Sequence, residues 1–252
     1  MSALWVEVKA TRGSCPRDAG AAMKVTETSS EGTIGGGALE LRAIELARGF
    51  MQSGVAEVVR SFPLGPDLGQ CCGGSVTLRF TRDALRLDPA EPAAATVHEG
   101  EPLPLWLWGA GHVGRAVVRA AQPQAFDLTW IDDAAARFPD DIPEHVDVVP
   151  AADMATLAAR APAGVHHLVF TYSHDIDFAV TAALLGRQPA SLGLIGSATK
   201  RARFFKRLRA MGLDPAPVIC PIGDKSLGKR PDQIARGTIA ALLAALPEKA
   251  RA

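Results

Sequence analysis

The chain has no excess of either charge: Lys and Arg number 27, and so do Asp and Glu, among its 252 residues. A general nucleic-acid binder carries a basic surplus to neutralise phosphates, so no nucleic-acid partner is expected. Long apolar runs are missing as well. No segment approaches the roughly 18 consecutive apolar residues of a membrane span, and no membrane association is expected. The start, Met1-Ser2-Ala3-Leu4-Trp5, lacks the basic and continuous apolar stretches of a signal peptide. Cysteine is scarce, with four residues of which two are adjacent, and this makes a poor disulfide framework. A cytoplasmic chain with reduced thiols fits these absences. Hydrophobic residues are plentiful: at 48% they can fill one substantial core or two modest ones.

Patterning divides the chain. Leu4, Val6 and Val8 alternate with polar residues, as a strand with one buried face does. A loop rich in Gly, Pro and Asp follows over Thr11–Gly20, then a strand near Met23–Thr26 and a Ser-Ser-Glu-Gly turn. Gly35-Gly36-Gly37 opens a helical pattern over Ala38–Met51, and further strands are predicted at Val55–Phe62 and Ser75–Phe80. Residues 1–83 therefore read as a small α+β domain. Residues 84–104 hold prolines and alanines with little periodicity and read as a linker. From Leu105 to the end at 252, apolar strands alternate with helices. The strands fall at Leu105–Trp108, Phe126–Ile131, Val146–Val149, His167–Thr171, Ser191–Ile195 and Val218–Cys220. Helices are predicted at His112–Ala121, Ala152–Ala159, Ile176–Leu185, Thr199–Met211 and Pro231–Leu246. This alternation predicts an α/β domain with a Rossmann-like parallel sheet.

Gly109-Ala110-Gly111-His112-Val113-Gly114 fits the G-x-G-x-x-G fingerprint in its required context. It follows an apolar strand, opens a helix, and has the acidic pair Asp132-Asp133 at the end of the next strand. Glycines permit a tight turn and close backbone approach, and the helix start presents N–H donors to phosphate. Asp132 is placed to bind ribose hydroxyls. The bland alternative keeps the glycines for strand–helix packing alone. Gly196–Arg201 is a second helix start, in which Ser197 caps and Lys200 and Arg201 either face an anion or form a solvated basic face, the second being favoured. His174 and Asp175 end the fourth strand of the sheet on its ligand-binding edge, and Asp175 is expected to be the helix N-cap. No Ser/His/Asp or Cys/His set can be assembled from spacing.

Gln70-Cys71-Cys72-Gly73-Gly74 is the most unusual segment. Adjacent cysteines lack the C-x₂₋₄-C spacing and second ligand pair of structural zinc. The flanking glycines leave the backbone open, and thiolate suits soft metals and sulfur chemistry. The alternative is two small buried residues beside a turn.

Taken together, several segments resemble the XdhC/CoxI family of molybdenum-cofactor accessory proteins. They are Thr11-Arg12-Gly13-Ser14-Cys15-Pro16-Arg17, Gly32-Thr33-Ile34-Gly35-Gly36-Gly37 with Leu39-Glu40, the Gln70–Gly74 segment, the Gly109–Gly114 fingerprint, and Tyr172-Ser173-His174-Asp175. The resemblance runs in order along nearly the whole chain and joins a cysteine-bearing first domain to a Rossmann-like second one. It implies a chaperone for xanthine dehydrogenase, not an enzyme. Such a protein binds molybdenum cofactor (molybdopterin carrying molybdenum), holds it while a cysteine desulfurase partner supplies sulfur, and passes it to a xanthine-dehydrogenase-like molybdoenzyme. Cofactor-binding candidates on this reading are Gly36, Gln70, Cys71, Cys72, Gly73, Gly109, Gly111, His112, Gly114, Asp132 and His174, with Cys71 and Cys72 as metal ligands. An attached nucleotide or dinucleotide and a homo-oligomer are left open.

Two other readings use the same residues. An NAD(P)-dependent oxidoreductase would need an acid–base group against the nicotinamide, and only His174 can be nominated. A nucleotide-gated interaction module would carry no metal. Fold alone does not choose among them.

Overall fold

The computed structural model describes residues 3–65, 74–88 and 100–244. The chain separates into two compact units, Met1–Ala90 and Glu91–Ala252.

The first unit is built on a five-stranded antiparallel sheet in the order β3-β2-β1-β5-β4. Its strands are β1 (Leu4–Arg12), β2 (Ala22–Val25), β3 (Ser30–Gly32), β4 (Glu57–Pro63) and β5 (Ser75–Thr81), with helix α1 (Gly37–Ser53) between β3 and β4. Alternation decides which face is inward: Leu4, Val6 and Val8 of β1 and Val76, Leu78 and Phe80 of β5 are buried together with Leu39, Ala43 and Ala47 of α1. The expected Ser29–Gly32 turn lies elsewhere. Thr26 and Ser29 close the turn through backbone and hydroxyl hydrogen bonds, which frees Ser30–Gly32 to pair with Met23–Val25. Past β5 the chain returns across this unit: Asp88 pairs with Arg17, and Leu87 lies against Gly32.

The second unit contains β6 (Leu103–Trp108), α2 (His112–Ala120), β7 (Phe126–Asp132), β8 (Val146–Pro150), α3 (Met154–Ala158), β9 (His166–Val169), α4 (His174–Leu185), β10 (Ser191–Leu194), α5 (Ala198–Ala210), β11 (Val218–Ile219) and α6 (Pro231–Ala244). All five strand pairings are parallel, in the order β11-β10-β9-β6-β7-β8. Read from the β8 edge this is the 3-2-1-4-5-6 winding of the dinucleotide-binding fold, whose strand order reverses between β6 and β9. Strand alternation divides the core. Leu105 and Leu107 of β6 join the layer under α2 and α6, while Trp108 joins the layer under α3, α4 and α5.

Strand β9 stops at Val169, short of the expected Thr171. The reason is local: the Thr171 N–H and hydroxyl both donate to Asp177, which pulls that segment out of the sheet. Helix α3 is shorter than expected because Asp153 caps it, accepting from Thr156 N at 2.9 Å.

His167 of β9 is built into this core. His167 is fully buried; its Nδ1 accepts from Trp108 Nε1 at 3.3 Å, and its Nε2 has no hydrogen-bond partner. Burial, helped by neighbouring His166, pushes its pKa down to about 4. The folded state thus holds it neutral while the unfolded chain protonates it near its ordinary value. Stability is complete above that value and falls as pH drops toward 4, by about 1.4 kcal/mol per pH unit for each such histidine. Melting temperature should therefore fall steeply between pH 6.5 and 4. His167→Gln should flatten that slope, and a pH profile unchanged by the substitution would show that His167 does not cause it.

Candidate functional site

The site is sought where the sheet winding reverses, between β6 and β9, because sheets of this winding place ligands beyond the carboxyl ends of their strands at that point. The turn after β6 carries the three fingerprint glycines, and the structure gives them different tasks. Gly109 has φ +119°, and a Cβ there would lie 2.3 Å from the Phe170 carbonyl oxygen. At Gly114 a Cβ would stand 2.0 Å from the Gly109 carbonyl oxygen. Both are required by close packing of turn, helix and neighbouring strand. Gly111 is unlike them: it is the N-cap of α2, its φ is −73°, and no side chain caps the helix. Among the described residues, a Cβ at Gly111 would meet nothing within 4 Å. The helix start therefore faces open space with N–H groups that polarise toward an anion.

Asp132 holds this turn in place. It is buried; one oxygen accepts from Ala110 N, and the other accepts from Asp133 N at 2.7 Å and lies 3.2 Å from Arg137 Nε. Burial pushes its pKa up, and the two backbone N–H groups and Arg137 oppose that shift. Asp132 is buried with each oxygen already accepting a backbone N–H, which leaves little of it accessible to the ribose hydroxyls expected there.

Arg137, Asp133 and Tyr172 continue the network. Arg137 Nε also pairs with Asp133, and the Tyr172 hydroxyl donates to Asp133 at 2.6 Å. The Arg137 guanidinium lies over the Tyr172 ring at 3.7 Å. Burial works against the charge on Asp133, but the bonds from Tyr172 and Arg137 outweigh it and hold that carboxyl below its usual range. Arg115 joins the network by donating to the carbonyls of Ala110 and Arg137 at 3.0 and 2.8 Å.

Across the reversal point, Ser173 caps α4 and accepts from Ile176 N. This corrects the expectation that Asp175 is the cap; Asp175 lies inside the helix, exposed. His174 opens the helix half-buried, its ring edge-on to Phe204 at 6.3 Å. Burial and the cations Lys200 and Arg203 push its pKa down to about 4, so it is neutral at pH 7. His112 is the first residue of α2.

Ser197 caps α5 as expected, accepting from Lys200 N at 3.1 Å. Lys200 corrects the expected solvated basic face, since it is buried and its Nζ pairs with Asp177, which is also buried. Burial pushes the Asp177 carboxyl up, while Lys200 and the two bonds from Thr171 favour its charged form. Helical spacing alone could not reveal that pair, whose members stand on different helices.

In the first unit three glycine-rich segments come together. Glu40 is buried, and one of its oxygens accepts from Thr33 Oγ1, Ile34 N and Gly36 N at 2.6, 3.0 and 3.1 Å. Gly36 is the N-cap of α1, again with no side-chain cap and nothing within 4 Å of an added Cβ. A Cβ on Gly35 would stand 2.5 Å from Pro16. On Gly74 it would meet the carbonyls of Ser14 and Arg12 at 2.5 and 2.6 Å and Cys15 Sγ at 3.0 Å. Leu64 N donates to Gly74 O at 2.8 Å and fixes the base of the segment between them. Gln70, Cys71, Cys72 and Gly73 lie outside the described residues. Among the described residues no group of three or more His, Cys, Asp or Glu could hold a metal ion. Burial pushes the Cys220 thiol up to about 11, which keeps it protonated.

These features define a Rossmann-type domain with a phosphate-competent turn, joined to a small antiparallel unit. The chain belongs to the XdhC and CoxI family: the XdhC Rossmann domain matches residues 105–242, and the XdhC and CoxI family model matches residues 2–62. It is 26% identical over 240 residues to the Escherichia coli (strain K12) protein named "Uncharacterized protein YqeB", a match covering 92% of this chain and 41% of that one. The chain thus spans less than half the length of that relative. A solved Bacillus halodurans structure, described as a xanthine dehydrogenase, is 17% identical with a TM-score of 0.49, covering 96% of this chain and 90% of that one. No helix among the described residues is long and apolar enough to cross a membrane.

Two consequences can be measured. Gly114→Ala forces backbone apart and should cost roughly 1–3 kcal/mol, seen as a lowered melting temperature, whereas Gly111→Val meets no described neighbour and should lose only its N-cap preference, about 1 kcal/mol or less. Lys200→Met strands the buried Asp177 carboxylate and should cost about 3–5 kcal/mol. A Lys200→Met variant with wild-type denaturant midpoint would show that the pair is not formed in solution.

Proposed function

We propose that this chain is an accessory protein for a xanthine-dehydrogenase-like molybdoenzyme. It binds molybdenum cofactor as cargo in the cytoplasm, protects it, supports its sulfuration by a cysteine desulfurase, and delivers it. Family membership supports the accessory role. The observation that carries the binding reading is the opening at Gly111. Packing requires glycine at positions 109 and 114 but not at 111, so an approaching anionic group is a reason for the smallest residue there.

The chemistry of the cargo fits the residues at hand. Molybdopterin ends in a phosphate, and each hydrogen bond from an N–H to that charged acceptor contributes about 1.5–3 kcal/mol. The dipole of α2 adds roughly 0.3–1 kcal/mol. Cys71 and Cys72 are the soft-ligand candidates for the metal in this reading, and within the first unit Gly36 leaves the start of α1 open among the described residues. The engaged state of Asp132 weighs toward a cargo without ribose at the β7 end, and against the NAD(P)-dependent oxidoreductase alternative. His174, the only acid–base nominee for that alternative, is neutral and packed against Phe204.

The test is co-purification from a host that makes the cofactor, with metal and pterin analysis, and a parallel titration with NADH. Wild-type protein should retain molybdenum and molybdopterin. Gly111→Val should weaken retention at least tenfold, about 1.4 kcal/mol, and Cys71→Ala/Cys72→Ala should lower retention with an unchanged melting curve. Failure to bind fresh, oxygen-protected cofactor would overturn the reading, and saturable NADH binding with carbonyl turnover would replace it by the oxidoreductase.

A further inference from the structure

Helix α5 concentrates charge in a chain whose net charge is zero. From Ala198 to Ala210 it carries six cations and no carboxylate. Lys200 is turned inward to Asp177. The other five, Arg201, Arg203, Lys206, Arg207 and Arg209, are exposed. At 100° per residue Arg203, Lys206 and Arg209 share the face opposite the buried Phe204, Phe205 and Leu208. Ala202 and Ala210 lie between them on that face, so a partner could approach the helix closely.

Within the described residues these cations are scarcely paired with carboxylates. Among the contacts of the described residues, the only carboxylate near them is Asp175, 3.8 Å from Arg207, with both side chains more than half exposed. Such a contact is worth little in water. Aromatic rings hold several of the guanidiniums instead. Arg201 and Arg209 lie over Phe205 at 4.4 and 5.9 Å, and Arg207 lies over Phe178 at 3.8 Å. Guanidiniums held on rings lose less freedom when they bind, and their donor edges stay available.

The composition favours a protein partner over a bare polyanion. Four of the five exposed cations are arginines, and Met211, directly after the helix, is 60% exposed. Ile219 on the edge strand β11 is 47% exposed. Arg and Met are enriched at protein interfaces, where Lys is depleted. The location matters as well. Ser197, the first turn of α5, lies at the carboxyl ends of the strands, the same sheet edge as the Gly109–Gly114 turn.

We propose that the exposed face of α5 is a docking surface for an acidic, carboxylate-rich face of a folded protein. Resting on the function proposed above, that protein is the enzyme receiving the cofactor. Arginines bind the acidic face with bidentate geometry, while Met211 supplies apolar contact. Docking along α5 brings the recipient to the edge of the sheet from which cargo leaves.

The experiment uses the full chain and the apo form of the xanthine-dehydrogenase-like enzyme, with binding measured at about 0.05 M and about 0.5 M NaCl. A DNA duplex and phosphatidylserine vesicles serve as competing probes. Wild type should bind the enzyme in low salt and weaken in high salt. Arg203→Glu/Lys206→Glu should lose at least about tenfold in affinity while melting and retaining molybdenum cofactor as the wild type does. Equal affinity in the charge-reversed variant would overturn the proposal. So would tighter binding to DNA or vesicles than to the enzyme. Wild type that retains cofactor yet does not bind the enzyme would overturn the docking surface and leave the cofactor reading standing. Loss of cofactor retention with salt-sensitive, α5-dependent enzyme binding intact would uphold the surface and overturn the cofactor reading.

Discussion

The hydrogen bond from Ala110 N to the Asp132 carboxylate is the contact on which the C-terminal architecture turns. The chain must leave β6, reverse tightly, and enter α2 with almost no room, since the Gly109 oxygen occupies the place of a side chain at Gly114. That reversal strands a backbone N–H away from water, which is costly unless an acceptor is supplied. Asp132 supplies it from the neighbouring strand, at the expense of burying a carboxylate. Arg137 then offsets the buried charge. From Arg137 the network passes through Asp133 to Tyr172 in the turn after β9. Beside Tyr172, Thr171 donates to Asp177, which pairs with Lys200 of α5. Four strand ends are thereby tied into one polar framework. Such networks fix geometry more than they add stability, because each buried charge must first be desolvated.

The first unit solves a related problem with different residues. Gly35, Gly36 and Gly37 all adopt positive φ, a conformation with little intrinsic preference to persist. Glu40 reaches back from α1 and gathers two backbone N–H groups and a hydroxyl onto one oxygen. Pro16 fills the space that Gly35 leaves, and Cys15 fills the space beside Gly74. Three stretches far apart in sequence thus meet beside Cys15 and Pro16.

Much of this was legible in the sequence, for definite reasons. Alternation in Leu4–Val8 and Val76–Phe80, and the short apolar runs after Leu105, report burial directly, and burial is what makes a strand. Helix ends were less legible because several residues can serve as caps. Ser173 and Asp175 are both good cap residues two positions apart, and the hydrogen bond to Ile176 N decides between them. The inward turn of Lys200 was hidden, since a Lys-Arg pair at a helix start looks the same whether or not a buried Asp waits on the next helix. Asp132 was recognised as important but its employment was not. The fingerprint records that an acid follows the second strand, without recording whether it faces a ligand or the turn beside it.

The glycines make the same point at higher resolution. A G-x-G-x-x-G string treats its three members alike, although the forces acting on them differ. At Gly109 and Gly114 the neighbouring backbone excludes any Cβ, so selection for folding alone accounts for them. At Gly111 ordinary backbone angles and empty surroundings would accept alanine or valine without strain. Packing does not require that residue, although an N-cap position favours glycine over alanine or valine, and the helix start behind it, with no side-chain cap, is a favourable place for an anion. Gly36 repeats the second situation at the head of α1: its surroundings are open, although its positive φ favours glycine independently. Of the two helix starts, only the one at Gly111 separates space for a ligand from strain in the backbone. A phosphate at that turn would displace nothing the fold needs.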